Sequence, residues 1–201
     1  MPTVLATLGY LALTLLLTYP ISVAPATRAM SVDPDAYLIM WMFSWDAHAL
    51  VSQPLSIFDA NIYYPERLTL AYSENMLGNA LLAAPVLWVT DNPVLAVNFV
   101  ALLSCVLCGL GAYLLARRLG LSAPAAFLAG VVFAFAPPRF LRISQGHLTV
   151  HWVPFALAYL HGYFEHGRPK DLRLAIMFFS LQALSSGHGA VFAAAAMAGL
   201  A

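Results

Sequence analysis

The feature that most constrains this chain is a succession of apolar runs, separated by short polar breaks and accompanied by very few charges. Charged residues make up only 9% and hydrophobic residues 62% of the 201 positions, whereas soluble domains are roughly 25% charged. So few charges could not dress the surface of a water-soluble fold of this size. Inside lipid every backbone polar group must be satisfied within the chain. The patterning therefore implies an all-α, polytopic transmembrane bundle. Nine acids balance nine bases, so no strongly basic face marks a nucleic-acid partner.

A bilayer core of about 30 Å takes about 20 apolar residues in a helix. A first span is expected over 4–26, apolar from Val4 to Val23 and closed by Pro20 and Pro25. No basic residue precedes it, so it reads as an anchor more readily than as a signal peptide cleaved near Ala24-Pro25-Ala26. Residues 27–75 form an external loop with six of the nine acids: Asp33, Asp35, Asp46, Asp59, Glu66 and Glu74. That is too long for a simple connector. Within it, Trp41, Trp45 and His48 recur at helical spacing over Tyr37–Leu50, the pattern of an amphipathic helix at the membrane interface.

Residues 76–90, interrupted by Asn79 and Pro85, are too short to span comfortably and read as a re-entrant or interfacial helix. Further spans are expected over 94–116, 119–137, 149–164, 172–187 and 189–201. The final run is alanine-rich and carries no stop signal, which reads as the N-terminal part of a longer protein. If 76–90 does not cross and the long loop is outside, Arg117, Arg118, Arg168, Lys170 and Arg173 lie inside, with Arg28, Arg67, Arg139 and Arg142 outside. A crossing with the N-terminus outside would put seven bases inside and two outside, which the positive-inside rule alone prefers. It would also separate the acidic loop from the histidine-bearing loop.

Several signals carry no chemistry. Cys105 and Cys108 share one face of an apolar helix and read as buried packing rather than as a redox or metal pair. Gly109-Leu110-Gly111 follows no strand, so it is not a dinucleotide loop. His161, Glu165, His166 and Lys170 read as a solvated connection on the inner side.

The run Asp33-Pro34-Asp35-Ala36-Tyr37, with Trp41, Trp45 and His48-Ala49-Leu50 behind it and then Ile62-Tyr63-Tyr64-Pro65-Glu66-Arg67-Leu68-Thr69-Leu70-Ala71-Tyr72, resembles the first external loop of bacterial membrane glycosyltransferases of the GT-C fold. The arginine pair Arg117-Arg118, the Pro137-Pro138-Arg139 turn, Gly146-His147-Leu148, Trp152 and Pro154 follow in similar order. The resemblance covers about residues 5–190. It implies a multi-pass protein of the bacterial inner or plasma membrane. Its outward-facing site would transfer a sugar from a polyprenyl-phosphate carrier to an acceptor. The family's acidic residue is often a single Asp or an Asp-Glu pair, whereas here Asp33 and Asp35 flank a proline.

Such a reaction needs a carboxylate to take the acceptor proton or hold a divalent metal, and cations for the leaving phosphate. Asp35 is the first candidate and Asp33 the second, although Asp-Pro-Asp is also a good helix start. Arg139 and Arg142, three residues apart, suit phosphate recognition or plain headgroup snorkelling. Gln145, His147 and His151 form a cluster in which the two histidines fall at i and i+4, a general-base or metal-ligand spacing that interfacial packing explains as well. His188, between Ser185-Ser186-Gly187 and Gly189, is a polar break in an apolar run and a functional candidate. Glu74 stands before 76–90, either as a capping-box-like start or beside a helix end that receives an anion. Tyr63 and Tyr64 offer aromatic surface to sugar or lipid. The rival readings are a transporter or flippase of a lipid-linked sugar and a non-catalytic envelope-assembly protein; no internal repeat of the transporter kind is visible.

Overall fold

The computed structural model of the chain describes residues 2–30, 34–140 and 149–199, without the side chains of residues 138 and 139. Asp33, Arg142, Gln145, His147 and the Arg139 side chain therefore lie outside the described residues. All regular structure among the described residues is helical, as expected: α1 (Thr3–Leu17), α2 (Pro34–Ser52), α3 (Leu77–Thr90), α4 (Pro93–Arg118), α5 (Ala123–Phe135), a single turn α6 (Pro137–Phe140), α7 (Val153–His166), α8 (Pro169–Ser185) and α9 (Gly187–Ala198).

The scaffold is α4, against which α1, α2, α3, α5 and α7 all pack. It is 26 residues long with an 18-residue stretch of mean hydropathy 2.3, and it is the one helix among the described residues long and apolar enough to cross a membrane. Pro93 in the first turn needs no N–H partner, and the Asn92 side chain accepts the Leu95 N–H at 2.9 Å. At the other end Arg117 and Arg118 complement the negative end of the helix dipole. Asn92 and Asn98 also hold the chain that follows α1. The Asn98 amide donates to the Pro25 and Arg28 carbonyls, both at 2.7 Å, and Asn92 donates to Ala26 at 3.0 Å.

Several elements are shorter than the apolar runs that announced them. The first helix stops at Leu17 instead of running through to 26, because Pro20 has no N–H to continue the ladder; a 3-10 turn, Ile21–Val23, follows. At 15 residues it is about 22 Å long. The expected 119–137 span is helical only over Ala123–Phe135. It starts after the left-handed Gly120 and ends before Pro137-Pro138, where helical backbone is disfavoured. The expected 149–164 span begins at Val153, with Pro154 in its first turn, and closes on the left-handed Gly167. The 76–90 segment is helical over Leu77–Thr90 and runs through Pro85. The break expected near 188 falls at Ser186, which ends α8 and caps α9 by accepting the Gly189 N–H at 3.0 Å.

Burial runs opposite to hydropathy along several helices. On α1, Ala6, Tyr10 and Thr14 are buried, while Leu5, Leu8, Leu15 and Leu16 are exposed. Asn79, Asn98, His151 and Gln182 are buried inside the bundle. The interior has two apolar centres. One joins α2, α3 and α4 through Ile39, Met42, Phe43, Met76, Leu87 and Val97. The other joins α1, α4 and α5 around Tyr10, Tyr113 and Ala126. Tyr10 lies where a side chain on Gly130 would have to be, since a Cβ there would come within 2.1 Å of its hydroxyl. Both cysteines are buried, as their position in an apolar run requires.

Candidate functional site

The first turn of α2, the segment leading into α3 and the α8–α9 break meet at one end of the bundle. They enclose a cavity of about 300 Å³ lined by Asp35, Leu38, Met42, Ser73, Glu74 and His188, with Ile39 and Met76 completing its wall. Three residues singled out in sequence, at positions 35, 74 and 188, thus share one wall.

Each is placed by local chemistry. Pro34 sets the start of α2 and leaves Asp35 in its first turn, where the positive end of the helix dipole favours an acid. Asp35 is exposed. Glu74 does not cap α3, as its position had suggested. Asn75 does so instead, its side-chain oxygen accepting the Leu77 N–H at 2.8 Å. Glu74 reaches across to α9. One carboxylate oxygen accepts the backbone N–H groups of Gly187 and His188, and the other faces His188 Nδ1 at 3.0 Å. Its partner helix was invisible in sequence because it lies 113 residues away.

Behind this wall the α8–α9 break is anchored by a buried polar network. Asn79 donates to the Thr149 hydroxyl at 2.9 Å and to the Ser185 carbonyl at 3.2 Å. Gln182 donates to the Thr149 carbonyl at 2.7 Å and accepts the Trp152 N–H at 3.3 Å. Gly78 makes this approach possible, since a Cβ there would come within 2.4 Å of Ser185 Oγ and 2.9 Å of Ser185 N. Asn79 registered in sequence only as an interruption of an apolar run, and Gln182, Thr149 and Ser73 did not register. A polar side chain within an apolar run is the signal that would have found the first two.

Other expected site residues are placed elsewhere or not at all. Tyr63 and Tyr64 stand exposed in the loop between α2 and α3, Tyr64 almost completely. Tyr63 stacks on Tyr72 with ring centroids 6.2 Å apart, and neither Tyr63 nor Tyr64 lines the cavity. His151 lies in a turn before α7 and is fully buried, with Nδ1 3.2 Å from Ser104 Oγ; its expected partner His147 lies outside the described residues. At the far end of α4, Arg118, His161, Glu165, His166, Arg168 and Asp171 line a second cavity of about 270 Å³. There the Arg118 guanidinium donates to the Ala158 carbonyl at 2.7 Å, lies 4.3 Å from the Tyr159 ring centroid and approaches Asp171 at 3.8 Å. His161 and Glu165 pair at 3.3 Å.

The described cavity lining carries two carboxylates and one imidazole but no arginine or lysine. It suits hydroxyl groups, whose protons a carboxylate can take; a phosphate would need cations from elsewhere. It does not fit a divalent ion. Among the described residues no three His, Cys, Asp or Glu side chains are grouped to hold one, and both Glu74 oxygens face N–H donors or the His188 ring. Compared with known proteins, the chain matches no family model, no curated protein and no solved structure.

Proposed function

We propose that the chain belongs to a multi-pass membrane glycosyltransferase that moves a sugar from a polyprenyl-phosphate carrier to an acceptor at the outer face of a bacterial cell membrane. The observation that carries this reading is the meeting of Asp35, Glu74 and His188 on one cavity, far apart in sequence and each chosen for its position beside an apolar run. Placement in a membrane is supported by α4, by the shorter apolar helices α1, α3, α5 and α9, and by leucines turned outward over buried polar groups. Soluble monomers rarely expose continuous apolar faces of this kind.

In this reading the three residues have different tasks. Glu74 is engaged by α9 and holds the wall in place. Asp35, exposed at the rim and without a hydrogen-bond or ion-pair partner among the described residues, takes the proton of the acceptor hydroxyl as that oxygen attacks the sugar. The carrier phosphate leaves with the bonding electrons; Arg139 and Arg142, whose side chains lie outside the described residues, are the cations that sequence offers to receive it. The adjoining cavity along α9, lined by Glu74, Gly187, His188, Val191 and Phe192, is mostly apolar and gives the lipid chain of the carrier a surface beside the polar one.

The test is sugar transfer from a polyprenyl-phosphate donor by the full-length protein and by Asp35→Asn. Loss of about 10²–10⁴-fold is expected for removal of a general base. Transfer unchanged in both Asp35→Asn and Asp33→Asn would sink the assignment of these carboxylates as the base, whereas no transfer by the parent protein would favour a transporter of the same lipid-linked sugar.

A further inference from the structure

At the far end of α4 an apolar groove and a polar cavity adjoin. The groove, of about 330 Å³, runs between α4, α5 and α7, and every residue that lines it is apolar, among them Leu115 and Leu119 of α4, Phe133 of α5 and Leu157 of α7. Beside it on α5, Leu128 and Val132 are more than half exposed, so the groove is continuous with the outward-turned apolar surface. The polar cavity is the one of about 270 Å³ that Arg118, His161, Glu165 and Arg168 help to line. On α7, Leu157 lines the groove, and His161 and Glu165, one and two turns further along the same side of the helix, line the cavity. On α4, Arg118 falls between Leu115 and Leu119 in the same manner.

Most of the charge in the cavity is matched from within. The Arg118 guanidinium is held by the Ala158 carbonyl, the Tyr159 ring and Asp171, and one Glu165 oxygen faces His161 Nε2 at 3.3 Å. Two opposite charges are left over. Arg168 is exposed and has no ion-pair partner among the described residues. The second carboxylate oxygen of Glu165, a side chain 51% exposed, likewise has none among them. The two residues flank the left-handed Gly167 that closes α7, near each other but unpaired. A ligand that carries a cation and an anion a short distance apart, at the end of a hydrocarbon chain, matches all three surfaces. A purely anionic headgroup would set its charge against Glu165 and Asp171. A quaternary ammonium would bring no N–H to the carboxylate, whereas a primary ammonium brings three.

We propose that this end of the bundle binds an aminophospholipid: Glu165 accepts from the primary ammonium of an ethanolamine headgroup, Arg168 holds the phosphate, and an acyl chain lies in the groove between α4, α5 and α7. The inference rests on the membrane placement proposed above and is independent of sugar transfer. Five of the nine bases, Arg117, Arg118, Arg168, Lys170 and Arg173, gather at this end, as bases do at a membrane–water boundary. A headgroup at that depth reaches the cavity while its chain enters the groove.

The experiment measures retention of chain-labelled phosphatidylethanolamine by the full-length protein in detergent, with phosphatidylcholine, phosphatidylglycerol and free phosphoethanolamine as competitors. Phosphatidylethanolamine should compete about tenfold better than phosphatidylcholine, the effect of a charge-assisted hydrogen bond, and free phosphoethanolamine should compete least because it brings no chain to bury. Glu165→Gln should bring the ethanolamine and choline lipids within about twofold of each other. Arg168→Gln should weaken both alike and leave their ratio unchanged, and Ala129→Trp, which fills the groove, should weaken every phospholipid in a protein whose unfolding midpoint shows it folded. Equal competition by the ethanolamine and choline lipids overturns the proposal, as do tighter binding of phosphatidylglycerol, an ethanolamine preference that survives Glu165→Gln, and binding untouched by Arg168→Gln. Retention of no phospholipid overturns it too and leaves the groove to a protein segment. Alkaline carbonate extraction of the same membranes separates the two readings. Release of the protein takes the membrane placement and this site down together, whereas a retained protein without the ethanolamine preference loses this site alone. The described binding by a protein that transfers no sugar leaves the site standing and the enzyme assignment overturned.

Discussion

The carboxylate of Glu74 closes on the start of α9, where it faces His188 Nδ1 at 3.0 Å and accepts the His188 backbone N–H at 3.2 Å. The two contacts differ in strength. The first joins a mostly shielded carboxylate to a ring whose side chain is 72% exposed, and exposed pairs contribute about 0–1 kcal/mol. The second caps a helix, where losing a side-chain acceptor costs about 0.5–2 kcal/mol. Glu74→Ala is therefore expected to destabilise the folded protein by about 1–2 kcal/mol, and His188→Ala by less than about 1 kcal/mol. Thermal unfolding of both single variants and the double variant in detergent checks this. A coupling energy well above 1 kcal/mol would mean that the ring contact outweighs the cap.

Gly78 sets the distance between α3 and the end of α8. A methyl group there meets Ser185 Oγ and also the Ser185 backbone nitrogen, and backbone cannot turn aside as a flexible side chain can. Gly78→Ala should cost about 1–3 kcal/mol, as overpacking does, despite the better helix propensity of alanine. It should also displace Gly187 and His188 from Glu74 and lower the proposed sugar transfer. Unfolding and transfer assays on the same sample test both parts.

That the chain is all-helical was legible because a sequence so apolar and so poor in charge leaves helices as the natural solution, and α4 was legible almost to the residue because its run is long and uninterrupted. The helix ends were less so: Pro20, Gly120 and the Pro137-Pro138 pair stop the backbone while hydropathy continues, and hydropathy alone does not see them. Asp35 and His188 stood out as polar residues beside apolar runs. The capping of α9 by Glu74 and the Asn79–Thr149–Gln182 network did not, since pairing across 33 to 114 positions leaves no local mark. Asp46 was counted only as one acid of six, although Met42, Phe43 and Ala49 at helical spacing place it on the buried face of α2.

Arg118 is the anchor of the opposite end. Its guanidinium satisfies the Ala158 carbonyl, stacks on Tyr159 and approaches Asp171. Lysine can keep the charge but not the planar stack with a simultaneous hydrogen bond. Arg118→Lys should lose about 0.5–1.5 kcal/mol and Arg118→Ala about 1–3 kcal/mol, the range for a charged hydrogen bond at a partly buried site. Neither change should reach the Asp35 cavity, so the proposed sugar transfer, at a temperature where both variants stay folded, should be unchanged. Denaturation curves read beside the transfer assay separate a structural role from a functional one.

Asp46 makes stability fall with rising pH, and the direction follows from proton counting. Burial raises the carboxyl of the folded chain to about 7, while in the unfolded chain it ionises near pH 4, as an ordinary Asp does. Between those two values the folded state holds a proton that the unfolded state has lost. Stability from this group is therefore full below about pH 4, declines through the interval and is gone above about pH 7, the opposite of a salt-bridged carboxylate. At about 1.4 kcal/mol for each tenfold change in proton affinity, the total is on the order of 4 kcal/mol. Asparagine has nearly the same shape and never ionises, so Asp46→Asn should flatten the decline and leave the protein more stable than its parent at pH 8. Unfolding midpoints of the two proteins in detergent from about pH 4 to about pH 8, which covers the interval in which the difference develops, check this. Parallel curves would show that Asp46 ionises in the folded chain as freely as in water.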